Sequence, residues 1–549
     1  MSLLRLNSNE GPRAPQALLA ELAALDPELL RRYPDATAVE TALAARVGVS
    51  PDRVVVTAGA DEALDRIYRA YAGPDRPVLL PEPTFDMLER FAALAGAPLV
   101  RVPWLTDAFP LEQILANLDN RIAMVVIVSP NNPTGGVASR DDVRRIAAAA
   151  PRSLLLLDQA YIEYADEDID RGLLDLPNVV VVRTMSKAWG LAGCRVGYAI
   201  GSADVIAVLR AAGAPYPVAG PSLALALWQL SRGDAALRDH VAQVRAERAR
   251  LRQFLCARGV DARVSQANFV FADFGRRAAF VRDGLGARDI LVRDFPARAG
   301  LQTSLRITLP GDPADFERLT RALETVLAPE ALVFDLDGVL ADVRESQRAA
   351  MIATGAAFGV AITMADVERA LRSGDAANDW IVTQRLIVER GKTVDLSSVT
   401  ARYQSLYLGT NGTPGLRERE RAIVPRAVLE RLAERLPLAV VTGRPREEAR
   451  WFLEREGLAP LFGAMVCMED AARKPDPAPV RLALTKLGVQ RAWMIGNTPD
   501  DVRAAVGAGV TPLGIVAPGD DLTLTTAALT NAGAARVLKH VADLEEVLS

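Results

Sequence analysis

The sequence is poor in the residues most used for metal, disulfide and acid–base chemistry. Of 549 residues only three are cysteine and two histidine, and aromatics make up 5%. Cys194, Cys256 and Cys467 are widely spaced and unpaired in pattern, which argues against a disulfide framework or a zinc site and fits a reducing cytoplasm. Both histidines, His240 and His540, fall in helical, charged surroundings and are expected on the surface rather than in catalysis. Positive charge is not in excess either. A net charge of −4 and a pI near 5.6 leave no basic stripe for nucleic acid and no polybasic patch for a membrane. No apolar run reaches a membrane span, and the N-terminal MSLLRLNSNEGP lacks the charged-then-apolar layout of a signal peptide, so export is not expected. What is present is 50% apolar and 24% charged residues, a composition for a globular chain too long for one ordinary domain. Its chemistry has to run on lysine, carboxylates and arginine.

The stretch Val179 to Tyr198, VVVVRTMSKAWGLAGCRVGY, concentrates that chemistry. A β-branched apolar run ends in Thr184-Met185-Ser186, and Lys187 and Arg195 follow in a Gly-containing segment. A lysine beside apolar residues and other cations is driven toward its neutral amine, the form that adds to an aldehyde. Ser186 offers a hydroxyl and Arg195 a fork of donors for a phosphate, so one short segment can meet both ends of pyridoxal 5'-phosphate. Alone, Lys187 is equally readable as a solvated loop lysine.

Other segments supply the context. Leu6 to Pro12 reads as an extended polar arm, Pro15 to Leu25 as a helix, and RRYPD at 31–35 as a proline-fixed turn carrying Tyr33. VVVTAGADEALDRIYRAY, from Val54, predicts a buried strand, a glycine turn and an amphipathic helix starting near Ala60. The first N–H groups of such a helix form an anion site, so Ala60, Asp61 and Glu62 could cradle a phosphate through main-chain donors, or the acids could simply cap the helix. The strand Val78 to Thr84 presents Phe85, able to stack on a flat ring or to pack in the core. MVVIVSPNNPTGG, from Met124, runs a strand into a tight turn with Asn132 at the sheet's edge, and LLLLDQAYIEY ends an apolar strand at Asp158 with Tyr161 one turn beyond. A carboxylate in that position is costly unless a cation meets it. A protonated pyridine nitrogen is such a cation, and Tyr161 and Asn132 would bond the ring's phenolic oxygen. Strands alternating with helices, with functional groups at strand ends, predict a doubly wound α/β sheet.

In order and spacing, LNSNEGP, YPD, TAGADE, PTF, SPNNPTG, LDQAY, TMSKAWGLAGCRVGY and LRIT make the chain from about Leu6 to Leu327 resemble the fold-type-I pyridoxal-phosphate enzymes, specifically the histidinol-phosphate aminotransferase family. The resemblance implies that Lys187 is the Schiff-base lysine and Asp158 the pyridinium partner. Phe85 then stacks on the ring, and Tyr33 reaches the cofactor phosphate of a neighbouring subunit, which implies a homodimer. It also implies that Arg293 and Arg306 hold the substrate phosphate and the carboxylate of glutamate or 2-oxoglutarate, a task that suits the bidentate guanidinium. Two positions depart from the family pattern: Gly11 stands where asparagine is usual, and Leu309-Pro310 follows LRIT.

After the amphipathic segment Asp315 to Leu327 and the link Ala328-Pro329-Glu330, too short for a flexible tether, a new strand begins. ALVFDLDGVLAD carries Asp335 and Asp337 at alternate positions of a strand end, where two carboxylates repel unless a metal or proton intervenes. LPLAVVTGR ends a strand at Thr442, RKPDP carries Lys474, and AWMIGNTPDD ends in an acidic loop. In this order they resemble the four motifs of the haloacid-dehalogenase-like phosphohydrolases (HAD). The resemblance implies a Rossmann-like domain in which Asp335 attacks phosphorus and Asp337 is the acid and base. Thr442 and Lys474 bind phosphoryl oxygens, and Mg²⁺ is held by Asp335, the Asp337 carbonyl and Asp501. It further implies that a helical cap, about residues 343–426, selects the substrate. Asn497 stands where an aspartate is usual.

The expected layout is therefore an aminotransferase over residues 1–329 and a HAD-like hydrolase over 330–549. The expected function joins transamination between glutamate and imidazole-acetol phosphate to magnesium-dependent hydrolysis of a phosphate monoester, with histidinol phosphate the ester. Two alternatives stay open: a regulatory C-terminal half, or a pyridoxal-phosphate reaction on another phosphorylated amino acid. Only small-molecule substrates and a second copy of the chain are expected as partners.

Overall fold

A computed structural model describes residues 2–169, 172–374, 378–410 and 412–548. The chain forms two compact units. One comprises Arg5–Phe274 and Val292–Glu317, and the other Gly275–Leu291, Arg318–Ser549 and the N-terminal residues to Leu4.

The first unit is built on a seven-stranded sheet in the order Val54–Thr57, Gly197–Ile200, Val179–Thr184, Leu154–Asp158, Met124–Val128, Val78–Glu82, Leu99–Pro103. Its central strands are apolar along most of their length because both faces are covered. Val179 and Val181, Leu155 and Leu157, Val125 and Ile127 point into one core, while Val180 and Val182, Leu154 and Leu156, Met124 and Val126 point into the other. The doubly wound expectation holds with one change: the sheet is mixed, since Gly197–Ile200 runs antiparallel to both neighbours. The helix expected near Ala60 spans Gly59–Tyr71, and the one expected from Pro15 spans Gln16–Ala23. A smaller antiparallel pairing, Phe269–Asp273 with Ser304–Thr308, sets Phe271 opposite Arg306, and Arg306 also lies opposite Arg293.

One expectation fails here. His240 is buried, not on the surface: its ring nitrogen meets the Tyr164 hydroxyl at 3.1 Å, and burial lowers its pKa to about 4. The adjacent Arg238 and Asp239 are exposed on the long helix Asp234–Cys256, whose buried residues are His240, Val244, Glu247, Leu251 and Leu255, so local composition misled where the helical phase decides.

The second unit holds a six-stranded parallel sheet, ordered Phe462–Val466, Leu438–Val441, Ala331–Phe334, Ala492–Gly496, Thr511–Ile515, Arg536–Leu538. Helices at Ala349–Ala357, Met364–Arg372, Asp379–Val388 and Leu396–Leu408 make the insertion after the first of these strands in the chain, with a core of their own around Met351, Val382, Leu386 and Tyr403. The helix Ala278–Gly286 and the end of Pro313–Leu327 belong to this unit too: Phe280 meets the Trp493 ring edge-on at 5.0 Å, and the indole N–H donates to the Thr325 carbonyl at 3.0 Å. The link to the first strand is pinned, because Arg491 pairs with Glu330 at 2.7 Å and donates to the Ala328 carbonyl at 3.3 Å.

Candidate active sites

In the first unit the carboxyl ends of the parallel strands open into a cleft, the usual place for a ligand in such a sheet. Phe85, Asn132, Asp158, Tyr161, Ser186, Lys187, Arg195, Arg293 and Arg306 all line it, as do Ala60 and Asp61. Seven segments distant in sequence thus meet at one place.

Lys187 lies just beyond the strand Val179–Thr184; its ammonium donates to the Ser8 carbonyl at 3.3 Å and stands 5.8 Å from the centre of the Tyr161 ring. Asp158 is 3% exposed; its carboxylate accepts from the Ala160 N–H at 3.0 Å. Burial pushes that carboxyl up to about 7, with Lys187 pulling the other way. A buried carboxylate without a cation in contact is a site for one. Arg306, 7% exposed, donates to the Asn132 side-chain oxygen at 2.6 Å and to the Asn7 carbonyl at 2.8 Å. That bond fixes the amide orientation and leaves the Asn132 NH₂ group free to donate into the cleft. The Tyr161 hydroxyl accepts from Asn9 at 3.0 Å.

At the other end, the Thr184 hydroxyl donates to Ser186 at 2.9 Å and Arg195 pairs with Asp61 at 3.1 Å. Close backbone packing builds this corner. A Cβ on Gly197 would lie 2.4 Å from the Ala60 nitrogen, and one on Gly59, whose φ is +78°, would lie 2.6 Å from the Arg195 guanidinium. Main-chain N–H groups at the start of Gly59–Tyr71, the Ser186 hydroxyl and Arg195 together match a dianionic phosphate. The residues present therefore fit pyridoxal phosphate.

The side chains of Glu62, expected to act only through its main-chain N–H, and of Tyr33, expected at a neighbouring subunit's site, do not line this cleft. Glu62 turns away to the Ala58 N–H and to Arg66, and Tyr33 is 81% exposed, stacked on Tyr216 with ring centroids 4.6 Å apart. Asn9, Thr184 and Arg298 were missed by sequence reasoning. Asn9 is 1% exposed at φ +54° and is locked by the Thr308 hydroxyl, which donates to its Oδ1 at 2.7 Å. The only available signal was the polar run in which it sits.

The second unit has its own cleft, at the carboxyl ends of Ala331–Phe334, Leu438–Val441 and Ala492–Gly496, lined by Asp335, Asp337, Lys474, Asn497 and Asp500. Lys474 donates to Asp335 at 2.7 Å and also pairs with Asp501. Burial and the nearby Asp501 push the Asp335 carboxyl up. Against the opposing effect of burial, Asp335 and Asp501 hold the Lys474 ammonium above its ordinary value. Asp501 also caps its helix, accepting from the Thr498 N–H at 3.0 Å, whereas Asp500 faces the cleft and pairs with Arg503. Thr442 is buried beside the cleft, its hydroxyl oxygen accepting from the Arg444 N–H at 3.1 Å.

Sequence reading missed Arg444. Its guanidinium donates to Asp337 at 2.7 Å and, through Nη1, to Glu420 at 2.9 Å, with Glu420 fully buried and further bonded by the Tyr407 and Ser346 hydroxyls. Gln347 adds a donor to Asp337 at 3.1 Å. Glu420 lies 83 residues from Asp337 and no spacing rule links them.

Among the described residues no group of three or more His, Cys, Asp or Glu side chains is arranged around a metal position; Lys474 stands between Asp335 and Asp501. The Asn497 side-chain oxygen, however, is buried without a hydrogen-bond partner. Two carboxylates and an orphaned amide oxygen form an all-oxygen donor set that fits a hard cation such as Mg²⁺.

Residues 2–323 match the family described as aminotransferase class I and II, and residues 332–515 match that of the haloacid dehalogenase-like hydrolases. A histidinol-phosphate aminotransferase of Paracoccus denitrificans is 33% identical over 60% of this chain and 91% of its own length. One from Aeromonas salmonicida is 35% identical over 55% and 86%. The crystal structure of histidinol-phosphate aminotransferase from Sinorhizobium meliloti in complex with pyridoxal-5'-phosphate is 28% identical, with a TM-score of 0.55 over 59% of this chain and 90% of that one.

Proposed function

We propose a bifunctional role for this chain, which belongs to the class I and II aminotransferases and carries a haloacid dehalogenase-like hydrolase domain behind them. Residues 1–329 transfer an amino group between glutamate and imidazole-acetol phosphate, giving L-histidinol phosphate, and residues 330–549 hydrolyse a phosphate monoester, histidinol phosphate being the one that joins the two steps. The observation that carries this reading is the cleft in which Lys187, Asp158, Asn132, Tyr161, Arg293 and Arg306 converge, together with relatives named for histidinol phosphate over nearly their whole length.

Pyridoxal phosphate, when bound, supplies an electron sink for the charge left at the substrate's α-carbon. Asp158 holds the ring nitrogen protonated, Phe85 packs on the ring, and Tyr161 and Asn132 bond its phenolic oxygen. Ser186, Arg195 and the N–H groups of Ala60, Asp61 and Glu62 hold its phosphate. Lys187 would be the base that takes the substrate's α-proton and holds it for return. Arg306 and Arg293 take the substrate carboxylate and phosphate. Tyr33, exposed on this chain, is assigned to the partner's site in a homodimer.

In the hydrolase half Asp335 attacks phosphorus, with Thr442 and Lys474 on the phosphoryl oxygens. Asp337, held by Arg444 and Gln347, protonates the leaving alcohol and then takes a proton from water. Asp335, the Asp337 carbonyl oxygen, Asp501 and Asn497 would hold Mg²⁺, which offsets charge on the phosphoryl oxygens. Both activities are assigned to the cytoplasm.

The test is to incubate the holoenzyme with L-histidinol phosphate, 2-oxoglutarate and Mg²⁺ and to follow glutamate and inorganic phosphate. Appearance of both supports the two assignments. Glutamate without phosphate refutes the hydrolase substrate, and phosphate without glutamate refutes the aminotransferase substrate.

A further inference from the structure

The hydrolase cleft is asymmetric in charge. At the end where phosphorus would react, every cation already has a carboxylate: Lys474 has Asp335 and Asp501, Arg444 has Asp337 and Glu420, and Arg348 has Asp520 at 2.6 Å. The same cleft is also lined by Asp379, Trp380 and Tyr403 from the helical insertion and by Glu448 from the helix Arg446–Arg455. Asp379 accepts from the Tyr403 hydroxyl at 2.9 Å, and Glu448 accepts from Gln404 at 3.0 Å. Among the described residues neither makes an ion pair; Arg444 acts on both, and Arg348 on Asp379, only through space.

Leaving two carboxylates in a protein cleft without a cation is costly, and the cost is removed when a ligand brings one. The half-buried Trp380 ring on the same lining is a surface on which an ammonium group can also be received. Independently, the orphaned Asn497 oxygen on the same cleft marks the phosphate and metal end as built for a ligand. The lining therefore suits an ester with its phosphate at Asp335 and Lys474 and its alcohol portion against the insertion.

We propose that Asp379, assisted by Glu448, is a specificity-determining residue that selects phosphate monoesters whose alcohol portion is positively charged. This rests on the reading of residues 330–549 as a phosphomonoester hydrolase, and it narrows that reading to a substrate class. L-Histidinol phosphate, with its ammonium and imidazole groups, belongs to the class. A neutral ester would leave Asp379 buried beneath it without a cation, so the site discriminates by penalty as well as by attraction.

The test uses the full holoenzyme with Mg²⁺ and two esters of nearly the same shape: phosphocholine, which is cationic and has no amine to engage the aminotransferase cleft covalently, and neohexyl phosphate, its uncharged carbon isostere. A kcat/KM ratio favouring phosphocholine by about tenfold or more is expected, the order of one desolvated cation contact. Asp379→Asn preserves shape and the acceptor for Tyr403, and is expected to bring the two esters level; Glu448→Gln is expected to lower the ratio by less. Equal turnover in the wild type, or a preference that survives Asp379→Asn, overturns the proposal. If neither ester is hydrolysed, the hydrolase reading fails, and calorimetric binding of the same pair to the Asp335→Asn chain decides the subsite alone. Tighter binding of phosphocholine that vanishes in Asp335→Asn/Asp379→Asn supports it; equal or absent binding overturns it.

Discussion

Replacing Asp158 by asparagine is expected to stabilise the cofactor-free aminotransferase unit at neutral and alkaline pH while removing its capacity to hold the cofactor ring. Burial raises the native carboxyl from 3.8 to about 7. Between those values the folded chain keeps a proton that the unfolded chain has released, so wild-type stability falls as pH rises, by about 1.4 kcal/mol per unit. Asparagine does not titrate. The advantage of Asp158→Asn should therefore widen by about 2 kcal/mol between roughly pH 5.5 and pH 8, with nearly all the change below about pH 7. Hydrogen exchange of the strand Leu154–Asp158, followed by mass spectrometry in both proteins at each pH, reads this directly: a gap of about 2 kcal/mol is a roughly 30-fold change in relative exchange rate. Adding pyridoxal phosphate should reverse the ranking, because only the wild type offers a carboxylate to a protonated ring nitrogen. An exchange ratio that stays constant across this pH range would refute the claim that Asp158 is buried without a compensating cation.

Three further outcomes are expected. Lys187→Ala should lose transamination by at least about a thousandfold, as expected for removal of a covalent and proton-transferring group, and should no longer be covalently labelled by the cofactor after borohydride reduction, while phosphate release from an ester is unchanged. Asp335→Asn should abolish magnesium-dependent phosphate release and leave transamination intact; residual turnover at the wild-type rate would remove Asp335 from the nucleophile's role. Arg444→Met leaves Glu420 fully buried and Asp337 unpaired, so the hydrolase unit should lose about 3–5 kcal/mol of stability, seen as a lower unfolding midpoint. Arg444→Met/Glu420→Gln should recover part of that loss; no recovery would mean that the buried pair is not the cause.

Much of both sites was legible because parallel sheets concentrate function at strand ends. Asp158, Lys187, Asp335 and Asn132 all follow uninterrupted apolar runs, and such a run fixes both the strand and its terminus. Local sequence fails where a group is positioned from far away. Arg444 meets Asp337 and Glu420 only through the fold, and Asn9 reaches Tyr161 across 152 residues. His240 was misplaced for the same reason: seen locally it keeps charged company, yet it sits on the buried face of its helix against Tyr164, and a Cβ on Gly311 would lie 2.4 Å from its ring.

Two of the three departures from family pattern, Gly11 and Asn497, look like losses in the sequence and like fits in the structure. A Cβ at Gly11 would stand 1.7 Å from the Lys187 carbonyl oxygen and 3.2 Å from the Gly190 nitrogen, so the arm can lie against the lysine turn only with glycine there, while Asn9, two residues earlier, donates to the Tyr161 hydroxyl. At Asn497 the same reasoning runs through charge. Asp335 and Asp501 already share the one ammonium of Lys474, and a third carboxylate beside them would add repulsion that a single cation cannot offset. The amide keeps an oxygen donor without that charge, and its orphaned position is what a ligand or metal oxygen-donor site requires before it is filled. A departure from pattern therefore has to be weighed by what the substituted atom would meet, and at both positions here the usual residue is the one that the surrounding backbone or charge disfavours.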